Sequence, residues 1–278
     1  MVKHTLKINC PDKTGIVYDI TQILFKHNLN ILESDQFVDS DEKQFFMRIE
    51  FCGTYDSGAL YDDLSSVLGE AADIKLHGKR KKNIIVMATK EHHCLGDILV
   101  RNFFNNINAN ILAVISNYDS LREFTEKMGV PYHYISHENI SREEHERKVI
   151  NTIEQYNPEY IVLAKYMRIL SPAFTDKFHE KIINIHHSFL PAFIGANPYR
   201  QAYERGVKLV GATAHFVNQD LDDGPIIEQD VIHITHKQNP TQLAKAGREV
   251  EKSVLAKAMQ LVFDDRVFLS GNHTIVFK

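Results

Sequence analysis

The stretch Gly78-Lys79-Arg80-Lys81-Lys82-Asn83-Ile84-Ile85-Val86-Met87-Ala88 divides the chain into two kinds of protein. Before it, apolar residues alternate. Leu6, Ile8 and Cys10 share one face of an extended segment, and Phe45, Met47, Ile49 and Phe51 repeat the period of two. Such alternation belongs to antiparallel strands with one face in water. Two helical stripes accompany them, Ile16, Ile20, Ile23 and Leu24, then Leu60, Leu64, Val67 and Leu68. A closing strand at about 72–77 completes the order βαββαβ, which predicts a small ferredoxin-like α+β domain over residues 1–78. The basic residues 79–82 read as a solvated linker rather than a nucleic-acid patch.

After the linker the apolar runs become continuous: Ile84 to Ala88, Ile111 to Ile115, Ile161 to Ala164 and Ile182 to Ile185. Strands of this kind are covered on both faces, so residues 83–278 are predicted to form a Rossmann-like, mostly parallel sheet flanked by helices. The overall class is α/β. Helix starts are marked by the capping box Ser141 to Glu144, by Ser171-Pro172 and by Asn239-Pro240. Alternation over Thr213 to Val217, with Ile226 to Ile232 after a turn, predicts an antiparallel extension of the sheet.

The charge balance of 32 basic to 36 acidic residues lacks the electropositive excess of a nucleic-acid binder, so small molecules are the expected ligands. No apolar run reaches the roughly 20 residues of a membrane span. Cys10, Cys52 and Cys94 form no disulfide framework or metal-ligand pair, which fits a reducing cytoplasm. Although histidine is frequent, there is no His-Glu-x-x-His, and His133 and His137 lie in a proline-started aromatic segment. Neither a metal nor a cofactor is expected. The turn after the first parallel strand has no Gly-x-Gly-x-x-Gly and no phosphate-loop lysine, which argues against a nucleotide.

Ligands of such sheets bind beyond the carboxyl ends of the strands. Asn184 and His186 stand at one such end, two residues apart, so both side chains share a face of the strand. His187 is expected to point the other way. A carboxylate can be delivered by the turn Asp220-Leu221-Asp222-Asp223-Gly224-Pro225, in which Asp223 reads as a turn residue. A carboxamide, an imidazole and a carboxylate together suit acyl chemistry.

Met167 to Pro172, Asn184 to Phe193, and Ala214 to Val217 leading into Leu221 to Ile227 resemble the folate-dependent formyltransferase family over most of residues 83–278. His93-Cys94-Leu95, Gly195 to Tyr199 and Asp265-Arg266-Val267 are similar to its deformylase branch, and residues 1–77 resemble an ACT regulatory domain. The resemblance implies hydrolysis of 10-formyltetrahydrofolate to formate and tetrahydrofolate, with Asp222, His186 and Asn184 catalytic. It places Met167, Arg168, Ile169, Leu170, Asp220, His93 and Gly195 at the substrate, the pterin being held mainly by backbone groups. It further implies a homo-oligomer, and an amino-acid effector, methionine or glycine, at the helix start Asp12 to Gly15.

The chemistry fits those roles. Asn184 and His186 supply donors for a tetrahedral oxyanion, and Asp222 positions water and carries protons to the leaving nitrogen. The alternatives are formyl transfer to glycinamide ribonucleotide, which needs a phosphate-binding loop, or to an aminoacyl-tRNA, which needs a basic surface, and a non-catalytic sensor, which would have lost the trio. Against transfer, the turn Lys90 to Gly96 is expected to crowd the acceptor's approach with its histidines, Cys94 and Leu95, leaving room for one water that His93 could bond.

Overall fold

The computed structural model describes residues 2–192 and 198–278. The chain forms two compact units, the first comprising Met1–Arg80 with Asp265–Ser270 and Ile275–Lys278, the second Lys81–Asp264 with Gly271–Thr274.

In the first unit the order is β1 (Lys3–Pro11), α1 (Ile16–Lys26), β2 (Asn30–Asp39), β3 (Gln44–Cys52), α2 (Ser57–Leu68) and β4 (Asp73–Gly78). The expected βαββαβ arrangement is present, as an antiparallel sheet in the order β2-β3-β1-β4. The alternating residues explain the packing: Leu6 and Ile8 of β1 and Met47, Ile49 and Phe51 of β3 meet Ile20 and Leu24 of α1 and Leu60 and Leu64 of α2 in one core. Each such side chain, removed from water, contributes about 1.5–3 kcal/mol.

Unit two contains the sheet β11-β10-β9-β8-β5-β6-β7. Its strands are β5 (Lys82–Ala88), β6 (Ala109–Ser116), β7 (Tyr132–Tyr134), β8 (Tyr160–Ala164), β9 (Ile182–His186), β10 (Leu209–Phe216) and β11 (Ile226–His233). Between them run α3 (His93–Phe103), α4 (Arg122–Lys127), α5 (Arg142–Tyr156), α6 (Pro172–Lys177) and α7 (Pro198–Arg205), and α8 (Pro240–Phe263) follows. β7 through β9 are parallel, and β10 and β11 form the antiparallel extension. From β5 the chain first builds outward through β6 and β7, then returns to its other side with β8 and β9, so strand order reverses between β5 and β8. Ligand crevices form at that reversal.

The predicted caps are in place. Ser141 accepts from the Glu144 N–H, Ser171 caps α6 ahead of Pro172, and Asn239 with Gln242 forms a capping box on α8. α8 packs along β9, β10 and β11 and against α3.

Two small strands, β12 (Val267–Ser270) and β13 (His273–Val276), close the chain. The sequence reading placed everything to residue 278 in the second domain; instead Asp265–Ser270 and Ile275–Lys278 belong to the first unit. The cause is the sheet face opposite its helices. There Phe46 meets Phe268 with ring centroids 5.7 Å apart, Lys7 Nζ donates to the Val267 carbonyl at 2.6 Å, and His77 pairs with Asp265 at 2.8 Å.

The turn after β10 depends on a close backbone approach. A Cβ at Gly224 would stand 1.8 Å from the Phe216 carbonyl oxygen, where the Phe216 N–H already donates to Pro225 O at 2.9 Å. Gly224→Ala should therefore cost about 1–3 kcal/mol as the turn shifts, read as a lowered melting temperature; an unchanged melting curve contradicts this packing.

Candidate active site

The antiparallel register of β9 and β10 sets Asn184 opposite His215 and His186 opposite Thr213. Directly opposed side chains interact, and Asn184 Nδ2 donates to His215 Nε2 at 3.1 Å. The His215 Nδ1–H in turn donates to the Phe216 carbonyl at 2.8 Å, so one tautomer satisfies both contacts. Burial holds His215 below the ordinary imidazole range, against the bond to Phe216 and the charge of Asp222. A neutral histidine thus orients the carboxamide.

Asp222 arrives from the Gly224 turn, its own backbone left-handed at φ 58°. Its Oδ1 lies 3.1 Å from His186 Nδ1 and 3.9 Å from His215 Nε2, and the His186 and Asp222 side chains are only 7% and 9% exposed. Burial pushes the Asp222 carboxyl up, but the bond from His186 and the charges of its histidine neighbours outweigh it and hold the group below the usual carboxylate range. His186 Nε2 has no protein partner among the described residues. That nitrogen is the one available to a substrate.

All three residues line a cavity of about 300 Å³, and so do Met167, Arg168, Ile169, Leu170 and Asp220. Met167 and Ile169 are each 60% exposed, apolar side chains held open for a flat partner. Their loop is fixed from outside: Thr89 donates to the Lys165 carbonyl at 2.7 Å, Arg142 to the Ile169 carbonyl at 2.8 Å, and the Ser171 N–H to Glu146 at 2.9 Å. Asp223 does not line the cavity, in keeping with a turn role. Gly195 lies outside the described residues. Asp12 is exposed on the turn before α1 and Gly15 is the N-cap of that helix at φ 88°.

Other expectations need correction. His93 does not line this cavity. It borders a second one, of about 520 Å³, which shares Lys165, Met167 and His187 with the first. Cys94 and Leu95 do not crowd any approach, because α3 begins at His93 and turns both into its buried face at 1% and 0% exposure. The space is also far larger than the roughly 30 Å³ of one water. His187, expected to point away from His186, follows the end of β9, where strict alternation lapses; its ring lies 5.1 Å from that of His186 and borders both cavities. Burial lowers its pKa to about 4, so it is neutral at pH 7.

The second cavity has a charged floor that the sequence reading missed. Glu251 of α8, 1% exposed, accepts from His93 Nε2 at 2.8 Å and Tyr199 Oη at 2.6 Å, and lies 3.3 Å from Lys165 Nζ. Gly247, one turn earlier on α8, makes room: a Cβ there would fall 2.0 Å from the tyrosine oxygen. One carboxylate therefore ties together the segments that follow β5, β8 and β9. A signal was available, since Glu251 interrupts the apolar stripe of Val250 and Val254 on α8. His93, Cys94 and Glu251 are the one group among the described residues close enough to share a metal ion. Their fit to a cation is poor, because burial raises the Cys94 thiol and the Lys165 ammonium already stands at the carboxylate.

The comparisons with known proteins agree with this layout. Residues 82–259 match the formyl transferase family and residues 4–67 the ACT domain family. The chain is 50% identical to a formyltetrahydrofolate deformylase of Haemophilus influenzae, with 99% of each chain covered. It is similar to the crystal structure of a formyltetrahydrofolate deformylase from Pseudomonas syringae pv. tomato, with a TM-score of 0.96 and 37% identity over 100% of this chain and 95% of that one. A phosphoribosylglycinamide formyltransferase from Anaplasma phagocytophilum resembles it less, with a TM-score of 0.65 and 27% identity over 72% of this chain and 96% of that one. Fold and site thus define a formyl transferase-type catalytic domain joined to an ACT domain. Within that class, the chain belongs to the formyltetrahydrofolate deformylase family. No helix among the described residues is long and apolar enough to cross a membrane.

The buried pair at the second cavity has a testable pH signature. Burial raises Glu251, but His93, Lys165 and Tyr199 outweigh it and bring the pKa from 4.5 to about 2. Because the folded value is depressed, the contribution is full above the unfolded pKa and is lost as pH falls from about 4.5 towards 2. Unfolding of wild type and Glu251→Gln across that window should show a stability difference that shrinks with falling pH. A constant difference contradicts the ionised carboxylate.

Proposed function

We propose that the protein hydrolyses 10-formyltetrahydrofolate to formate and tetrahydrofolate. The observation that carries this reading is the buried Asp222 to His186 contact at 3.1 Å, facing a cavity that Asn184 also lines. Water adds to the formyl carbon and gives its proton to Asp222, while the developing oxyanion is met by the second N–H of Asn184 and by His186 Nε2 in its protonated form. The carbon–nitrogen bond then breaks, with the proton delivered to the leaving nitrogen, and formic acid ionises to formate. A formamide nitrogen leaves badly as an anion, so the proton transfer is essential rather than accessory. Every group required is a side chain of this chain, which supports chemistry without metal or cofactor.

The pterin fits the wall of Met167 to Leu170, with Asp220 at its edge; the Ile169 carbonyl is already used by Arg142, which leaves the neighbouring backbone groups for the ring. The ACT domain supports an effector role for the first unit. An amino acid such as methionine or glycine at Gly15, and assembly into a homo-oligomer, are its natural forms, checked by calorimetry and by mass measurement in solution.

Asp222→Asn preserves shape but removes the base, so formate release should collapse while folate still binds. Asn184→Ala and His186→Ala should each lose about 10²–10³ in kcat, the size of one oxyanion donor. Near-normal formate release by Asp222→Asn refutes the proposal.

A further inference from the structure

The second cavity is as large as a ligand site, lies at the reversal of strand order between β5 and β8, and opens onto the same Lys165, Met167 and His187 that border the folate cavity. In position it suits a second reactant. A formyl acceptor bearing a phosphate would need free cations or exposed backbone N–H groups in it.

Neither is free here. The Lys165 ammonium is held by Glu251 at 3.3 Å, and Arg248 Nη2 by Glu91 at 3.2 Å. Arg200, at the rim, pairs with Glu204 at 2.9 Å. The remaining polar groups facing the space offer no net positive charge: His187 is neutral, and Tyr199 and His93 both serve the Glu251 carboxylate. Glu91 also occupies the start of α3, whose first-turn N–H groups would otherwise attract an anion. Its carboxylate is 3.6 Å from His93 Nδ1. A phosphate placed in this cavity would meet two carboxylates in a partly desolvated space and would have to break an ion pair to gain a cation.

The geometry points to Glu91 and Glu251 as specificity-determining residues that deny the cavity beside the formyl group to phosphorylated amines and leave it to water. The inference rests on the hydrolytic reading and supplies its acceptor side. It also explains why a deformylase can keep a cavity instead of filling it: the exclusion is by charge, not by bulk.

The test measures formate release by the full chain at fixed 10-formyltetrahydrofolate with increasing phosphoribosylglycinamide, each variant normalised to its own uninhibited rate. Wild type should be unaffected at millimolar concentrations. Glu91→Gln, which frees Arg248 and lies at the cavity wall rather than in the core, should be inhibited roughly tenfold more strongly, about 1.4 kcal/mol of added affinity. Glu251→Gln should show the same trend if it folds, and Glu91→Gln alone decides the matter if it does not. Glu249→Gln removes the same charge from the exposed side of α8, where Glu249 is 71% exposed, and should behave as wild type. Inhibition of wild type equal to that of Glu91→Gln, resistance of Glu91→Gln, or equal sensitivity of Glu249→Gln overturns the inference. Absence of formate release from wild type without any amine would instead refute the hydrolytic reading itself.

Discussion

The contact between Asp222 and His186 requires that a turn following β10 fold back over the end of β9, and much of the second unit is arranged to make that possible. The antiparallel β9–β10 pairing brings His215 beside Asn184, the bulge in the β10–β11 pairing at Ala214 and His215 bends the ladder as it nears the turn, and Gly224 allows the turn to touch the Phe216 backbone. Thr213 continues the same logic beneath the site. Its hydroxyl donates to Ser188 O at 2.9 Å and accepts from Leu190 N at 3.0 Å, which fixes the chain leaving β9. The price of burying a carboxylate is offset only when its acceptor sites are filled, and here histidines fill them.

A second buried carboxylate, Glu251, organises the opposite wall. Its three donors come from segments that follow different strands, so one residue on a long, well-capped helix couples the registers of β5, β8 and β9 at their carboxyl ends. Such a network is costly if half satisfied and rigid if complete. The division of labour between the two acids is clear from what they face. Asp222 sits where a reacting atom can reach it, whereas both oxygens of Glu251 are consumed by protein donors.

The two-unit architecture was legible because each unit writes its own period: alternation at Leu6, Ile8 and Cys10, unbroken apolar runs at Ile84 to Ala88. Asn184, His186 and the Asp222 turn were legible for the same reason, as short motifs at a strand end and a tight turn. What was not legible depended on side chains meeting across long separations. Glu251 finds His93 over 158 residues of sequence, and nothing local to either residue announces the other. Cys94 and Leu95 misled because a loop reading exposed them, while the start of α3 at His93 buries both. The terminal residues after α8 misled in another way: their apolar side chains, Val267 and Phe268, signal burial without saying against which sheet.

Catalysis by a coupled unit makes a quantitative demand that independent residues would not. If Asp222 acts through and with His186, removing either disables the same step, and removing both costs little more than removing one. The decisive measurement is a double-mutant cycle on kcat for formate release using His186→Ala, Asp222→Asn and the double variant. The account predicts a double variant nearly as active as the slower single one, whereas losses that multiply as for unconnected residues would contradict it.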